Sequence, residues 1–390
     1  MSRTSAKSER FAESVIREMT RLAAVHSTPE RPVINLAQGF PDFPAPAEVK
    51  SAAQQAIADD INQYAVTWGA PRFRAALAAK YARDYAWPID PETEITVTCG
   101  ATEGMIASLL AVIDPGDEVI VFEPFYENYG PDAVLSGAVP VLVPLSASDG
   151  FALDPDALRA AITPRTRGVI VNSPNNPTGK VLTRQELGWI ADVCVAHDLV
   201  AFTDEIYEHI TYDGAQHVPL ATIDGMAERT CTVSALSKTY SVTGWRVGWV
   251  IAPADLTAAI RKVHDFLTVG AAAPLQEAGA VAVSMPESYY AELGEFYQAR
   301  RDVLLPALSR AGLTPVVPAG AYYAMADCSP FGDDLEFTRR LITDLGVAVV
   351  PGSSFFSDPA DGRGWVRFAF CKRIETLQHA AERLEGLRTW

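Results

Sequence analysis

Several common signatures are missing from this sequence, and each absence removes a class of protein. The five cysteines, Cys99, Cys194, Cys231, Cys328 and Cys371, form no CxxC pair, and their number is odd. In a chain of 390 residues this predicts reduced, buried thiols in a cytoplasmic protein rather than a disulfide framework. The six histidines form neither HxxxH nor HExxH, so no metal site is signalled. No apolar run reaches the ~20 residues of a membrane span, and Met1–Arg10 lacks the apolar core of a signal peptide. Positive charge is scarce: 32 Lys and Arg stand against 48 Asp and Glu, a net charge of −16. That balance speaks against nucleic acid or an anionic membrane as partner. A small anionic ligand remains open, because a few local Arg and Lys suffice to hold one. Repeats, low-complexity tracts and long linkers are also absent.

What is present is an ordinary globular composition, 48% hydrophobic and 21% charged. Single cores stop growing at roughly 250–300 residues, so the length predicts a large domain and a smaller one. Phe11–Ala24 has helical spacing and reads as an amphipathic arm. Helical pattern returns at Ala47–Ala58 and Pro71–Tyr85. From Ile95 onward strands and helices alternate. The strands are Ile95–Thr98, Glu118–Phe122, Gly168–Asn172, Leu199–Thr203, Arg229–Ser234 and Trp245–Ala252, with helices at Glu103–Val112 and Arg184–His197. Apolar strands alternating with helices predict an α/β fold with a largely parallel sheet covered on both faces. After Pro274 the texture changes. A long helical region, Leu275–Ala311, precedes short strands at Thr314–Val317, Tyr322–Ala326, Val347–Val349 and Trp365–Phe370, and helices at Asp334–Leu345 and Ile374–Leu387. This predicts a smaller α+β domain. The division is 1–45 for the arm and a small-domain segment, 46–284 for the large domain and 285–390 for the small one.

In an open parallel sheet, ligands bind beyond the carboxyl ends of the strands. At those ends stand Gly100-Ala101-Thr102 opening a helix, then Tyr126, Asn176, Asp204 with Tyr207, and Ser237-Lys238 followed by Arg246. Each has an ordinary explanation alone. A lysine after a strand is usually a solvated surface residue, Asp204 suits a helix N-cap, Asn-Asn-Pro-Thr-Gly suits a turn, and Arg246 suits a structural ion pair. Together they bring a helix N-terminus that can hold phosphate, an aromatic face, an amide, a carboxylate, a phenol, an amine and a guanidinium to one rim. That set suits pyridoxal 5′-phosphate, whose aldehyde needs a lysine and whose ring nitrogen needs an acid.

These residues fall in three ordered motifs: Asn175-Asn176-Pro177-Thr178-Gly179-Lys180, Thr203-Asp204-Glu205-Ile206-Tyr207, and Ser237-Lys238-Thr239-Tyr240-Ser241-Val242-Thr243-Gly244-Trp245-Arg246-Val247-Gly248. The chain resembles class I aminotransferases of pyridoxal-phosphate fold type I along nearly its whole length. Asn35–Phe43 and Asn62-Gln63-Tyr64-Ala65 look like the branch that holds kynurenine, glutamine, aromatic and methionine aminotransferases. The resemblance implies a seven-stranded, mostly parallel sheet. It implies Lys238 as the Schiff-base lysine, Asp204 as the partner of the ring nitrogen, Tyr207 and Asn176 on the ring oxygen, and Tyr126 stacked on the ring. Ala101, Thr102 and Arg246 would hold the phosphate. Tyr64 would reach the phosphate of a neighbouring subunit, which implies a homodimer with shared active sites. Arg367 would clamp the substrate carboxylate, with Gly39 beside the substrate. Strand alternation sets Arg367 and Ala369 opposite Val366, Phe368 and Phe370, and a guanidinium among small residues suits a carboxylate.

One position departs from the family pattern. Ala235 stands where many members carry a phosphate-binding serine, so that contact is lost or falls to Ser237. The implied reaction moves the α-amino group of an L-amino acid to a 2-oxo acid such as 2-oxoglutarate. A β-lyase acting on cysteine S-conjugates would use the same lysine, aspartate and arginine. A non-catalytic sensor domain of a transcription regulator would need a DNA-binding module, and only about thirty residues precede Val33. Phe40, Phe43, Trp68, Tyr126 and Phe355 suggest an apolar or aromatic side-chain pocket, and no second arginine for a distal carboxylate is identifiable.

Overall fold

The computed structural model describes residues 3–11 and 13–390. Seven strands make the central sheet: β1 (Ile95–Thr98), β2 (Glu118–Glu123), β3 (Val139–Pro144), β4 (Thr166–Asn172), β5 (Val200–Asp204), β6 (Thr230–Ala235) and β7 (Gly248–Ile251). Their order across the sheet is β1-β7-β6-β5-β4-β2-β3. The run from β6 to β3 is parallel, and β7 is antiparallel to both its neighbours. This is the α/β sheet expected, including its seventh strand. That strand, Val-Pro-Val-Leu-Val-Pro, escapes the sequence pattern because proline reads as a breaker. It lies at the sheet edge, where a missing N–H donor is tolerated.

Buried apolar side chains on the sheet pack into helices on both faces. Helix Arg184–His197 forms at its expected bounds because Thr183 and Glu186 make a reciprocal capping box. The second sheet is antiparallel and joins Val350–Pro351, Trp365–Ala369, Tyr323–Asp327 and Thr314–Pro315 in that order.

Four expectations are corrected here. Val347–Val349 is not one strand: Val347–Ala348 pairs in parallel with Ile34–Asn35, and Val350–Pro351 pairs with Trp365–Ala369. The helical region 275–311 splits into Ala273–Ala282 and Glu287–Arg310, parted at Pro286, which cannot continue a helix. The strand expected from Trp245 starts at Gly248, because Arg246 sits in a left-handed conformation at φ +53°. In the arm, Ala12 lies outside the described residues, and helix α1 runs over Val15–His26. No helix among the described residues is long and apolar enough to cross a membrane.

Candidate active site

Beyond the carboxyl ends of β4, β5 and β6 lies a cavity of about 410 Å³. It is lined by Gly39, Ala101, Thr102, Tyr126, Asn176, Asp204, Tyr207, Ser237, Lys238, Arg246 and Arg367. Eight different stretches of chain thus deliver the residues singled out in the sequence to one place. Tyr64 is the exception. It is 88% exposed and lines a separate surface cavity with residues 62–65 and 269–274.

Lys238 rides on a single helical turn, Leu236–Thr239, directly after β6. Its Nζ donates to the Gly39 carbonyl at 3.2 Å, and Tyr322 Oη donates to the same oxygen at 3.1 Å. Burial lowers the Lys238 amine to about 8, with Arg367 and Arg246 pushing the same way against Cys371 and Asp204. An amine so placed is still largely cationic at neutrality but gives up its proton far more readily than an ordinary lysine, so its nucleophilic free base is within reach near pH 8.

Asp204 ends β5. Its Oδ2 accepts from Tyr129 Oη at 2.8 Å and its Oδ1 from the Ile206 amide at 3.3 Å. Burial raises its pKa, opposed by those two donors and by the charge of Lys238. Asn172, at the end of β4, ties the two strand ends together. Its Nδ2 donates to the Asp204 carbonyl at 2.8 Å and its Oδ1 accepts from the Asn176 amide at 2.8 Å. The Asn-Asn-Pro-Thr-Gly loop is therefore more than a turn. Asn175 Oδ1 accepts from both the amide and the hydroxyl of Thr178, which frees Asn176 to face the cavity.

Arg367 is 1% exposed. It donates to Asn176 Oδ1 at 2.8 Å and to the Ala37 carbonyl at 2.6 Å, and its plane lies near the rings of Tyr323 and Phe355. Its Nε is buried with no partner among the described residues. A buried guanidinium with an unused N–H awaits an acceptor. Tyr207 Oη donates to Tyr323 Oη at 3.2 Å, and a Cβ on Gly39 would fall 1.9 Å from that same Tyr323 oxygen.

Helix α2 (Ala101–Val112) opens at Gly100, φ +81°, with no side chain capping it. Its first N–H groups are left for a ligand. Arg246 stands over this helix end, with Nη2 on Thr102 Oγ1 at 3.3 Å, and a Cβ on Gly100 would strike that guanidinium at 2.4 Å. The donor set fits pyridoxal phosphate on three independent points: an uncapped helix end with a cation for the phosphate, a half-buried carboxylate for the ring nitrogen, and an amine of lowered pKa for the aldehyde. Ser237 lines the cavity, whereas Ser234 and Ala235 do not.

Other residues of the site are not apparent from sequence. Tyr129 and Asp132 lie on helix α3 (Tyr129–Ser136), whose Gly130 and Pro131 disguise it. Tyr323 and Arg17 also line the cavity. The expected aromatic wall is corrected. Phe40 and Tyr126 line the cavity, but Phe43 packs edge-on to Phe296, Trp68 lies over Arg261, and Phe355 backs Arg367. Aromatic rings default to cores and to cation stacking.

Comparison with known proteins agrees with this geometry. The family model for aminotransferase class I and II matches residues 31–384. The chain is 44% identical over 389 residues to a probable N-succinyldiaminopimelate aminotransferase of Mycobacterium tuberculosis, covering 97% of this chain and 96% of the relative. It is 38% identical over 395 residues to mouse kynurenine–oxoglutarate transaminase 3, covering 94% and 86%. The solved structure of N-succinyldiaminopimelate aminotransferase from M. tuberculosis superposes with a TM-score of 0.95 at 44% identity, covering 98% of this chain and 100% of the other. The chain belongs to the class I and II aminotransferases, and as such it is a transaminase that works with pyridoxal 5′-phosphate.

Proposed function

We propose that the amino donor is an L-amino acid of aromatic, methionine, glutamine or kynurenine type and that the acceptor is 2-oxoglutarate. The observation that carries this reading is the lining of one cavity by Lys238, Asp204 and Arg367, with Phe40 and Tyr126 among its walls. Bound pyridoxal phosphate supplies an aldehyde carbon for amines and a protonated ring that draws electron density from the substrate Cα. In the proposed arrangement the Ala101 and Thr102 N–H groups, Ser237 and Arg246 hold the phosphate. Asp204 pairs with the ring nitrogen, Asn176 and Tyr207 face the ring oxygen, and Tyr126 covers a ring face. Arg367 holds the α-carboxylate, with Gly39 leaving room beside it. Lys238 holds the cofactor. Once freed by the substrate amine, its Nζ would take the Cα proton as base and deliver it as acid to the carbon that had been the aldehyde.

The division into 1–45, 46–284 and 285–390 and cytoplasmic residence are part of the same proposal. The latter is supported by five free thiols. We place the working form as a homodimer in which Tyr64 completes the partner's phosphate site. Supporting this, Tyr64 stands exposed outside its own cavity, and Phe266, 91% exposed, and the exposed Leu267 and Val269 offer apolar surface. A second donor class, with an acidic side chain, is favoured by one observation. Arg17 lines the cavity, and its guanidinium has no ion-pair or hydrogen-bond partner among the described residues.

The test is a panel of amino donors against 2-oxoglutarate, read as oxo-acid formation. Apolar and aromatic donors should turn over fastest, and Lys238→Ala should abolish both turnover and the visible absorption of bound cofactor. Faster release of pyruvate and a thiol from cysteine S-conjugates, with no oxo-acid acceptor present, would reject transamination in favour of the lyase.

A further inference from the structure

None of the roles above uses Asp132. It lies three residues after Tyr129 on α3, so the two side chains share the helix's inward face, and both are buried. Tyr129 donates its hydroxyl to Asp204. Asp132 lines the same cavity, is only 5% exposed, and has no side-chain hydrogen bond among the described residues; its Oδ2 is sealed from solvent. An ionised carboxylate without donors is strongly disfavoured in such a place, and the neutral acid is not.

Asp204 differs in its surroundings. It has the Tyr129 hydroxyl, the Ile206 amide and the nearby cation of Lys238. Two carboxyls, Asp132 buried and Asp204 half-buried, thus face one cavity, and only one is furnished with donors. Burial lifts Asp132 to about 7, and the charge of Asp204 adds to it. The dipole at the start of α3 pulls the other way and loses to desolvation. Other elements packed on α3 do not supply the missing partner: Lys7 reaches α3 only at the Leu135 carbonyl, and Arg17, Lys238, Arg246 and Arg367, which line the same cavity, make no hydrogen bond or ion pair with Asp132 among the described residues. α2, β2 and β3 touch it. Glu103 of α2 is turned to His264, Glu118 of β2 to Arg165, and Glu123 of β2 to the Ser357 amide. β3 carries no ionisable side chain.

We propose that Asp132 is a positioning residue for Asp204: the two form a carboxyl pair that holds one proton, the proton sits on Asp132, and Asp204 is thereby left ionised for the cofactor's ring nitrogen. The role toward the ring rests on the aminotransferase reading, but the shared proton belongs to the polypeptide itself. When the cationic ring is bound, both carboxyls are drawn toward ionisation. A group whose pKa falls on binding adds affinity above its free pKa and none below it. Asp132 therefore strengthens cofactor binding on the alkaline side of neutrality.

The experiment uses the full-length protein labelled with carbon-13 at aspartate carboxyls, with and without cofactor, in wild type, Asp132→Asn and Asp204→Asn. Without cofactor, wild type should show a carboxyl resonance titrating near 7. Asp132→Asn should lack it, and Asp204→Asn should move it down by removing the like charge. If Asp132→Asn removes no resonance from above the ordinary carboxylate range, the pair does not exist. The second readout is the cofactor dissociation constant at about pH 6 and about pH 8.5. A one-unit fall in the Asp132 pKa on binding gives wild type about fivefold more gain in affinity between these pH values than Asp132→Asn. Equal pH dependence in the two proteins would overturn the role toward Asp204. Asparagine keeps the shape of the neutral acid, so a space-filling role alone would leave the pH dependence of cofactor affinity unmoved. Failure of wild type to bind pyridoxal phosphate at all would instead refute the enzymatic reading, and the titration would still decide the pair.

Discussion

Arg367→Lys isolates what a guanidinium does that a point charge cannot. In the structure two of the five N–H groups of Arg367 are engaged, by Asn176 Oδ1 and the Ala37 carbonyl, and buried Nε is unused. A carboxylate can therefore be gripped by Nε–H together with a hydrogen on a terminal nitrogen, a two-pronged contact. Lysine is a compact point charge that can form at most one of those bonds and cannot also reach Asn176. Losing one charge-assisted hydrogen bond costs about 1.5–3 kcal/mol, which is about 10- to 150-fold in kcat/KM. Arg367→Gln also removes the charge, and truncating one partner of a buried charged pair costs about 2–5 kcal/mol. The carboxylate is held alike before and during proton transfer, so the loss should fall mainly on KM, with kcat less affected. The assay is steady-state kinetics over a range of donor concentrations. A primary amine without an α-carboxylate serves as control, and its slow turnover should be nearly the same in all three proteins. Arg367→Gln with a kcat/KM within a few-fold of wild type, or a loss confined to kcat, would refute this assignment.

Three further outcomes are expected. In the cofactor-free protein, acylation of Lys238, followed by peptide mass mapping, should be half-maximal near pH 8; a midpoint near the ordinary lysine value of about 10.4 would contradict the burial account. Gly39→Ala sets a methyl group against Tyr323 Oη and should break the Tyr207–Tyr323 contact. Loss of one hydrogen bond predicts about a tenfold fall in kcat/KM, and unchanged kinetics would mean that the backbone gives way instead. Lys80 and Glu208 form a buried ion pair at 2.8 Å, which Tyr85 Oη also joins, and Glu208→Gln leaves Lys80 only Asp84 at 3.6 Å. Urea unfolding near neutral pH should show a loss of up to about 3 kcal/mol. Glu208 is held down at about 2, chiefly by Lys80 against the cost of burial. The pair's stabilisation is therefore present above the ordinary carboxylate pKa and is lost as pH falls from about 4.3 toward 2. The variant should lack that acid-dependent loss, and a wild type with flat stability across this window would contradict it.

Legibility in the sequence followed how local each signal was. The capping box at Thr183 and Glu186 lies within one turn, so helix Arg184–His197 could be read to its ends. The apolar runs of β2, β4, β5 and β6 advertise strands buried on both faces, and the residues just beyond those strands line the cavity. Arg367 was legible because alternation along Trp365–Ala369 sets it apart from Val366 and Phe368. What escaped depends on contacts distant in the chain or on local chemistry that mimics a loop. β3 hides behind Pro140 and Pro144, and α3 behind Gly130 and Pro131. Tyr129 and Asp132 were invisible for that reason, since only the fold brings α3 against Asp204. The left-handed Arg246 could not be foreseen from residue type, because that conformation disfavours side chains and is held by tertiary context. Phe43, Trp68 and Phe355 misled because an aromatic ring near a site in sequence belongs to a core more often than to a wall.

The cavity draws one wall from Arg17 on α1 and another from Arg367, so nearly the whole chain lies between its first and last contributors. This sets a timetable for biosynthesis. A ribosome adds about 5–20 residues per second, so on the order of tens of seconds separate the emergence of Gly39 from that of Arg367. During that interval β1 to β7 are already made, and Lys238 has left the tunnel with no carboxylate clamp opposite it. Any cofactor met then finds a phosphate cradle and an amine but an open cleft. The active centre is finished only once Arg367 has emerged, and capture of the cofactor in its working pose is an event that follows that point.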